Sequence, residues 1–186
     1  SGSIKGIFAK NYGLGALSIR STGDVTGDAS EGIYARNEGT DLTISAAVVS
    51  GYTDGIYARN DGTGSLSVTA SGSAGETGRG IYARNEGTDL RITTAAVSGG
   101  TRGIAAQNLG SGVISIRSTG DVTGDSSEGI YARNYGTNLT IAATSVSGGI
   151  GINALNEGSG SLSVTATGHV TGNTDMGIYA RNSGTD

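Results

Sequence analysis

One eight-residue unit, Gly-Ile-x-Ala-x-Asn-x-Gly, recurs along the chain and constrains its fold more than any other feature. It opens at Gly6, Gly32, Gly55, Gly80, Gly103, Gly129, Gly151 and Gly177, with spacings of 26, 23, 25, 23, 26, 22 and 26 residues. A period of this length marks a stacked-repeat architecture, because each unit is too small to bury its own apolar face and must share a core with its neighbours. The longer units carry an extra turn, read at Gly23-Asp24-Val25-Thr26-Gly27-Asp28, again from Gly120 to Asp125, and in a weaker form from Gly168 to Asn173. Gly6 to Gly103 and Gly32 to Gly129 are both 97 residues apart, so a four-unit block over 6–102 is repeated, incompletely, over 103–186. Residues 1–186 are read as one repeat array.

Within a unit the apolar residues alternate with polar ones, the period-two signature of a strand. Ile33 and Ala35 fall on one side while Tyr34 and Arg36 fall on the other; Leu42 and Ile44 form a second run and Val48-Val49, before Gly51, a third. No window carries apolar residues at helical spacing, and Gly or Asn interrupts every few residues. A strand that recurs once per unit meets its own copy one turn later, which is parallel pairing. The expected fold is all-β: a right-handed parallel β-helix (β-solenoid) of about eight coils of 22–26 residues, with three short strands per coil. The hand follows from the right-handed preference of parallel crossovers. Three or four aliphatic side chains cannot offset the cost of ordering one coil, so coils are stable only when stacked.

Composition removes several alternatives. The 35 glycines, with no proline, cysteine or tryptophan, rule out a conventional core of large side chains, while the regular Ile and Val argue against a disordered Gly/Ser/Thr tract. The net charge is -4 and the basic residues are scattered singly, which disfavours nucleic acid as a partner. No run approaches the roughly 20 apolar residues of a membrane-spanning helix, so this segment is not expected to insert in a membrane. The beginning of the chain also lacks the blocks of a signal peptide. Without cysteine there is neither a disulfide nor a thiolate metal site.

The repeat also supplies the candidate functional positions. Asn11, Asn37, Asn60, Asn85, Asn108, Asn134, Asn156 and Asn182 occupy one place in every unit and are expected to form an inward structural ladder of amides, each donating to one neighbour and accepting from the other. The glycines two residues later, from Gly13 to Gly184, are expected to supply a positive φ at the corner. Facing outward, Tyr34, Tyr57, Tyr82, Tyr131 and Tyr179, with Phe8, share one column, and Arg36, Arg59, Arg84, Arg133 and Arg181, with Lys10, share the next. The plainer reading is cross-strand ring packing, with guanidinium groups along the rings and Glu38, Asp61 and Glu86 relieving the charge; the other is a contact surface. Ala105, Gln107, Asn153 and Leu155 interrupt both columns.

Other chemistry has less to rest on. The Ser and Thr of the second strand suggest a flat, ice-ordering face, but Arg20, Arg91 and Arg117 break it. Asp24 with Asp28, and Asp121 with Asp125, offer oxygens to calcium, yet the nonapeptide of calcium-binding β-rolls is missing. His169 takes the place of Asp24 and Asp121 as a turn residue. No nucleophile and base pair stands out, so neither an enzymatic activity nor a cofactor is expected.

The units Gly32-Ile33-Tyr34-Ala35-Arg36-Asn37 and Leu42-Thr43-Ile44-Ser45, with Val-x-Gly turns between them, resemble the passenger repeats of bacterial autotransporters and related haemagglutinin-like adhesins over the whole chain. The resemblance implies export to the surface of a Gram-negative cell, a right-handed β-helix, and adhesion or cell-to-cell contact. Ser1 to Lys5 reads as the close of an earlier coil and Asp186 falls where a Leu-x-Ile strand is due, which reads as a piece of a longer array or of a filament joined end to end. The expected function is therefore an extracellular structural or adhesive rod that associates with itself end to end or laterally and contacts surface glycans or neighbouring cells. The alternative is a carbohydrate-binding or polysaccharide-cleaving β-helix.

Overall fold

A computed structural model of the chain describes residues 5–184 and contains strands, bends and turns but no helix among them. Coils are numbered here from the successive repeat glycines. Coil 1 holds β1 (Ile7–Asn11), β2 (Leu17–Arg20) and β3 (Val25–Gly27). Coils 2 to 4 hold two strands each: β4 (Ile33–Asn37) and β5 (Leu42–Gly51), β6 (Ile56–Asn60) and β7 (Leu66–Gly75), β8 (Ile81–Asn85) and β9 (Leu90–Gly99). Coil 5 returns to three, β10 (Ile104–Asn108), β11 (Ile114–Ser118) and β12 (Val122–Gly124), as does coil 6 with β13 (Ile130–Asn134), β14 (Leu139–Ala143) and β15 (Val146–Gly148). Coil 7 holds β16 (Ile152–Asn156), β17 (Leu162–Ala166) and β18 (Val170–Gly172), and β19 (Ile178–Asn182) opens the eighth.

All pairing is parallel and runs from one coil to the next. The first strands form an eight-stranded sheet in the order β1-β4-β6-β8-β10-β13-β16-β19, and the remaining strands form an eleven-stranded sheet opposite it. Register is strict: Ile33 pairs with Ile56 and Ile56 with Ile81, while Asn37 pairs with Asn60 and Asn60 with Asn85. The chain is thus a β-solenoid of seven complete coils and the opening strand of another. At about 4.8 Å per coil, the seven coils span about 34 Å.

Two expectations about the coil are corrected. Three short strands per coil hold in coils 1, 5, 6 and 7, but in coils 2 to 4 the second and third runs join into one ten-residue strand, with pairing resuming at Val48 after a one-residue gap beyond Ala46 and its partner Ala70. The extra length of the long coils is not one added turn. Comparing coil 1 with coil 2, Asn11 to Leu17 is six steps against five for Asn37 to Leu42, Leu17 to Val25 is eight against seven for Leu42 to Val49, and Val25 to Gly32 is seven against six for Val49 to Gly55. One residue is inserted at each of three corners, so strand register survives.

The core is one continuous cluster of small and branched side chains running through the coils. Ile33, Ala35, Leu42, Ile44 and Val49 are fully buried, and their counterparts continue through Ile152 and Ala154. Alternation drives this: Tyr34 and Arg36 remain partly exposed between the buried Ile33, Ala35 and Asn37.

The glycines after the asparagines do not serve by positive φ, since no described glycine adopts it. Clearance between coils demands them instead. A Cβ at Gly87 would lie 2.1 Å from the carbonyl oxygen of Gly64, and one at Gly110 would lie 1.8 Å from that of Gly87. Gly13, with no described coil below it, would meet only Asn11 Oδ1 at 3.3 Å. Gly87→Ala is expected to cost about 1–3 kcal/mol or more, as overpacking does, whereas Gly15→Ala, which faces open space, should stay within about 0.5 kcal/mol. Thermal unfolding of the two variants side by side checks this, and equal losses would contradict the clearance argument.

Candidate contact surface

Columns of side chains that repeat from coil to coil define what the exterior can offer and what the interior withholds. The innermost is the asparagine ladder. Nδ2 of each asparagine donates to Oδ1 of the next: Asn11 to Asn37 at 2.7 Å, Asn37 to Asn60 at 2.8 Å, Asn60 to Asn85 at 2.9 Å, Asn85 to Asn108 at 3.2 Å, Asn108 to Asn134 at 3.1 Å, Asn134 to Asn156 at 3.1 Å and Asn156 to Asn182 at 2.9 Å. The second amide hydrogen reaches a carbonyl of its own corner, as in Asn37 Nδ2 to Thr40 O at 3.0 Å and Asn156 Nδ2 to Gly160 O at 2.8 Å. Asn37, Asn60, Asn85, Asn108, Asn134 and Asn156 are fully buried, so this column is sealed from any ligand.

A neighbouring cap explains how long and short coils alternate. The short coils place Asp41, Asp89 or Asn138 immediately before the second strand, and each accepts from an inserted corner above it: Asp41 Oδ1 from Ser65 N at 2.7 Å, Asp89 Oδ1 from Val113 N at 3.1 Å, Asn138 Oδ1 from Ser161 N at 2.9 Å. These bonds to backbone N–H hold the carboxyls of Asp41 and Asp89 below their ordinary value.

On the outer face of the first sheet the rings stack. Phe8 and Tyr34 have centroids 5.1 Å apart, Tyr34 and Tyr57 4.8 Å with planes 2° apart, and Tyr57 and Tyr82 4.9 Å. Ala105 ends this run at Tyr82, and Ala105 and Asn153 flank Tyr131 in register. Tyr179 lies on the last strand and is 38% exposed. The stacked rings give their faces to one another and present edges outward.

The arginines of the next column do not all lie along those rings. Arg36, Arg59 and Arg84 share the carboxylates of Glu38, Asp61 and Glu86, with Arg36 Nε to Asp61 Oδ2 at 2.9 Å, Arg59 Nε to Asp61 Oδ1 at 2.5 Å and Arg84 to Glu86 at 2.8 Å. Burial pushes the Asp61 carboxyl up, but hydrogen bonds from Arg59 and Arg36 outweigh it and hold it low. Arg133 pairs with Glu157 at 2.9 Å and lies 4.8 Å from the Tyr135 ring, while Arg181 is exposed on the last strand. From this column Lys10 lies over the ring stack, 5.1 Å from Phe8 and 5.6 Å from Tyr34, and Arg59 interacts with Tyr57.

Further cations over the column's tyrosines come from a position the sequence reading missed, the residue just before the repeat glycine. There Lys5 pairs with Glu31, Arg79 with Asp54 at 2.7 Å, and Arg102 with Glu128 at 2.5 Å. Arg79 is held bidentately, Nε to Asp54 Oδ1 at 3.0 Å, and lies 3.9 Å over Tyr82; Arg102 lies 5.1 Å over Tyr131. The readable signal was a sign pattern, plus-minus, minus-plus, plus-minus, at positions 5, 31, 54, 79, 102 and 128. Burial raises the Glu128 carboxyl, yet hydrogen bonds from Ser127 and Arg102 bring it below its ordinary 4.5, and Glu31 behaves likewise through Lys5 and Ser30.

The outward residues of the second sheet include the small polar Thr43, Ser45, Ser67 and Thr69, the exposed Val48, and Arg20, Arg91 and Arg117 standing above them. Asp24 and Asp28 flank the extended β3, and Asp121 and Asp125 flank β12 in the same way. Among the described residues, no three His, Cys, Asp or Glu side chains gather closely enough to hold a metal. Ser1 to Ile4 and Asp186, on which the reading of the chain's ends depends, lie outside the described residues. No family model, curated protein or solved structure matches the chain.

Two outcomes test these columns. Asn85→Ala strands the amide of Asn60 and the carbonyl oxygen of Asn108, an expected loss of about 2–6 kcal/mol at one to three per orphaned buried group, measured by thermal unfolding. Because the carboxyls of Asp61, Glu31 and Glu128 are lowered on folding, the stability they add is present above their ordinary values of 3.8 and 4.5 and disappears as pH falls through and below them. The melting temperature should be level near neutrality and fall below about pH 4.5, with a shallower fall in Glu128→Gln.

Proposed function

We propose that this chain is a stretch of an extracellular structural and adhesive rod, carried on a bacterial surface, that sets a fixed spacing and offers its sides to neighbouring rods, cells or glycans. One observation carries the reading: nearly every distinctive side chain is spent on its own copy one coil away. Asparagine bonds to asparagine, tyrosine stacks on tyrosine, and arginine bridges carboxylates of adjacent coils. Interactions of that kind give a uniform cross-section whose length scales with coil number, which is what a spacer needs. A catalytic site is instead a local exception to the repeat.

The resemblance to autotransporter and haemagglutinin-like repeats supports the same location and role. A second reading, carbohydrate binding, is favoured by one open groove considered next. The rod reading is tested in the organism that makes the protein. An antibody against the solenoid should label intact cells, and cells lacking the protein should lose attachment to one another or to surfaces. Labelling that appears only after lysis would overturn it.

A further inference from the structure

One surface departs from the pattern of side chains consumed by their own copies. Immediately after the third run, each coil contributes one residue to a file along the rod: Asp28, Tyr52, Glu76, Gly100 and Asp125 in coils 1 to 5. Backbone bonds fix this register, since the amides of Tyr52, Glu76, Gly100 and Asp125 donate to the carbonyls of Gly27, Gly51, Gly75 and Gly99 at 2.9–3.0 Å. Beside the file runs an open groove of about 480 Å³, floored by the small residues Thr26, Ser50, Ala74 and Ser98. That volume lies within the roughly 300–1,000 Å³ typical of small-molecule sites.

Ser50 Oγ donates to Thr26 Oγ1 at 3.4 Å on the floor, but the larger side chains of the file are unpaired among the described residues. Among the described residues no ring or cation covers Tyr52, which is 46% exposed, in contrast to Tyr34, Tyr57 and Tyr82. Asp28, Glu76 and Asp125 have no ion-pair partner among the described residues, although most acids of the first sheet do. Gly100 leaves a gap between Glu76 and Asp125, and no larger residue fits there because its Cβ would lie 2.2 Å from the Glu76 carbonyl oxygen.

We infer that this groove binds an extended, uncharged β-1,4-linked polysaccharide lying along the rod. Each part of the file matches a part of such a ligand. The free face of Tyr52 packs on the apolar C–H face of a sugar ring. Carboxylates accept hydrogen bonds from sugar hydroxyls, and these charge-assisted bonds are the stronger kind. The hydroxyls of Thr26, Ser50 and Ser98 add weaker polar contacts along the floor.

Spacing selects the linkage. Carboxylates recur on every second coil, about 9.6 Å apart at 4.8 Å per coil, and the flat two-fold ribbon of a β-1,4-linked chain repeats over nearly that distance. An α-linked glucan curls away from a straight file. Charge selects against acidic polymers, which three unpaired carboxylates repel. A shared cation is disfavoured because calcium requires its oxygens within 2.3–2.6 Å and these carboxylates are two coils apart.

The inference names the ligand and the site behind the adhesive half of the rod reading and rests on that half alone. Its test is made in solution, apart from any cell. Titration calorimetry of the purified 186-residue chain is run against cello- and chito-oligosaccharides, with malto-oligosaccharides and oligogalacturonate as comparisons. The expected result is binding of a β-1,4-linked neutral series, stronger with length up to the groove, and none of the α-linked or acidic ones. Tyr52→Ala should weaken that binding about tenfold or more, and Asp28→Asn with Glu76→Gln should weaken it further. Tyr135→Ala, on a different corner, should leave it unchanged. Circular dichroism melts of each variant separate lost binding from lost folding. No binding of either β-linked series, equal binding of maltohexaose, unchanged binding in Tyr52→Ala, or binding abolished by a chelator would each overturn the inference, while leaving a rod without this glycan site intact.

Discussion

The structure depends on one constraint: every strand must find its hydrogen-bonding partner in the coil before it and the coil after it, at about 4.8 Å. Once that spacing is set, any residue that recurs at one place in the coil is brought against its own copy. Asparagine turns this into a buried chain of amides, tyrosine into a stack of rings, and alternating charge into ion pairs. The same spacing forbids side chains where corners press together, which is why glycine stands at 39, 62, 87 and 110 although none of these corners has a positive φ.

Changes in coil length are absorbed without disturbing this spacing. A long coil differs from a short one by single residues at separate corners, and at the enlarged corner before the second strand an Asp or Asn of the coil beneath caps the exposed amide. Insertions therefore stay outside the strands, and the inward sequence Ile-x-Ala-x-Asn keeps its register from Ile7 to Asn182. That tolerance lets the exterior vary from coil to coil while the interior does not.

The exterior is accordingly of two kinds. The outer face of the first sheet is largely consumed by contacts among its own side chains, with ring faces hidden and guanidinium groups paired. Among the described residues, the corner file from Asp28 to Asp125 keeps its ring and carboxylates unpaired beside an open groove. A repeat protein gains stability from contacts between neighbouring units, and in this chain the like-to-like contacts of side chains fall on the asparagine ladder and the first sheet.

The period, the strand pattern and the inward asparagines were legible in the sequence, because alternation and identical spacing are properties of the chain alone: Ile33, Ala35 and Asn37 face inward in whichever coil they occur. The outward columns were legible as lists of residues but not as partnerships. That Arg36 and Arg59 meet at Asp61, while Arg79 and Arg102 cover Tyr82 and Tyr131, depends on side-chain reach between neighbouring coils, which spacing along the chain does not encode. Likewise the merging of the second and third runs in coils 2 to 4, and the line of Asp28, Tyr52 and Glu76, arise only when corners of unequal length are stacked in register. Sequence determined which residues recur; stacking decided which of them meet, because the contact is made across the 4.8 Å between coils and not along the chain.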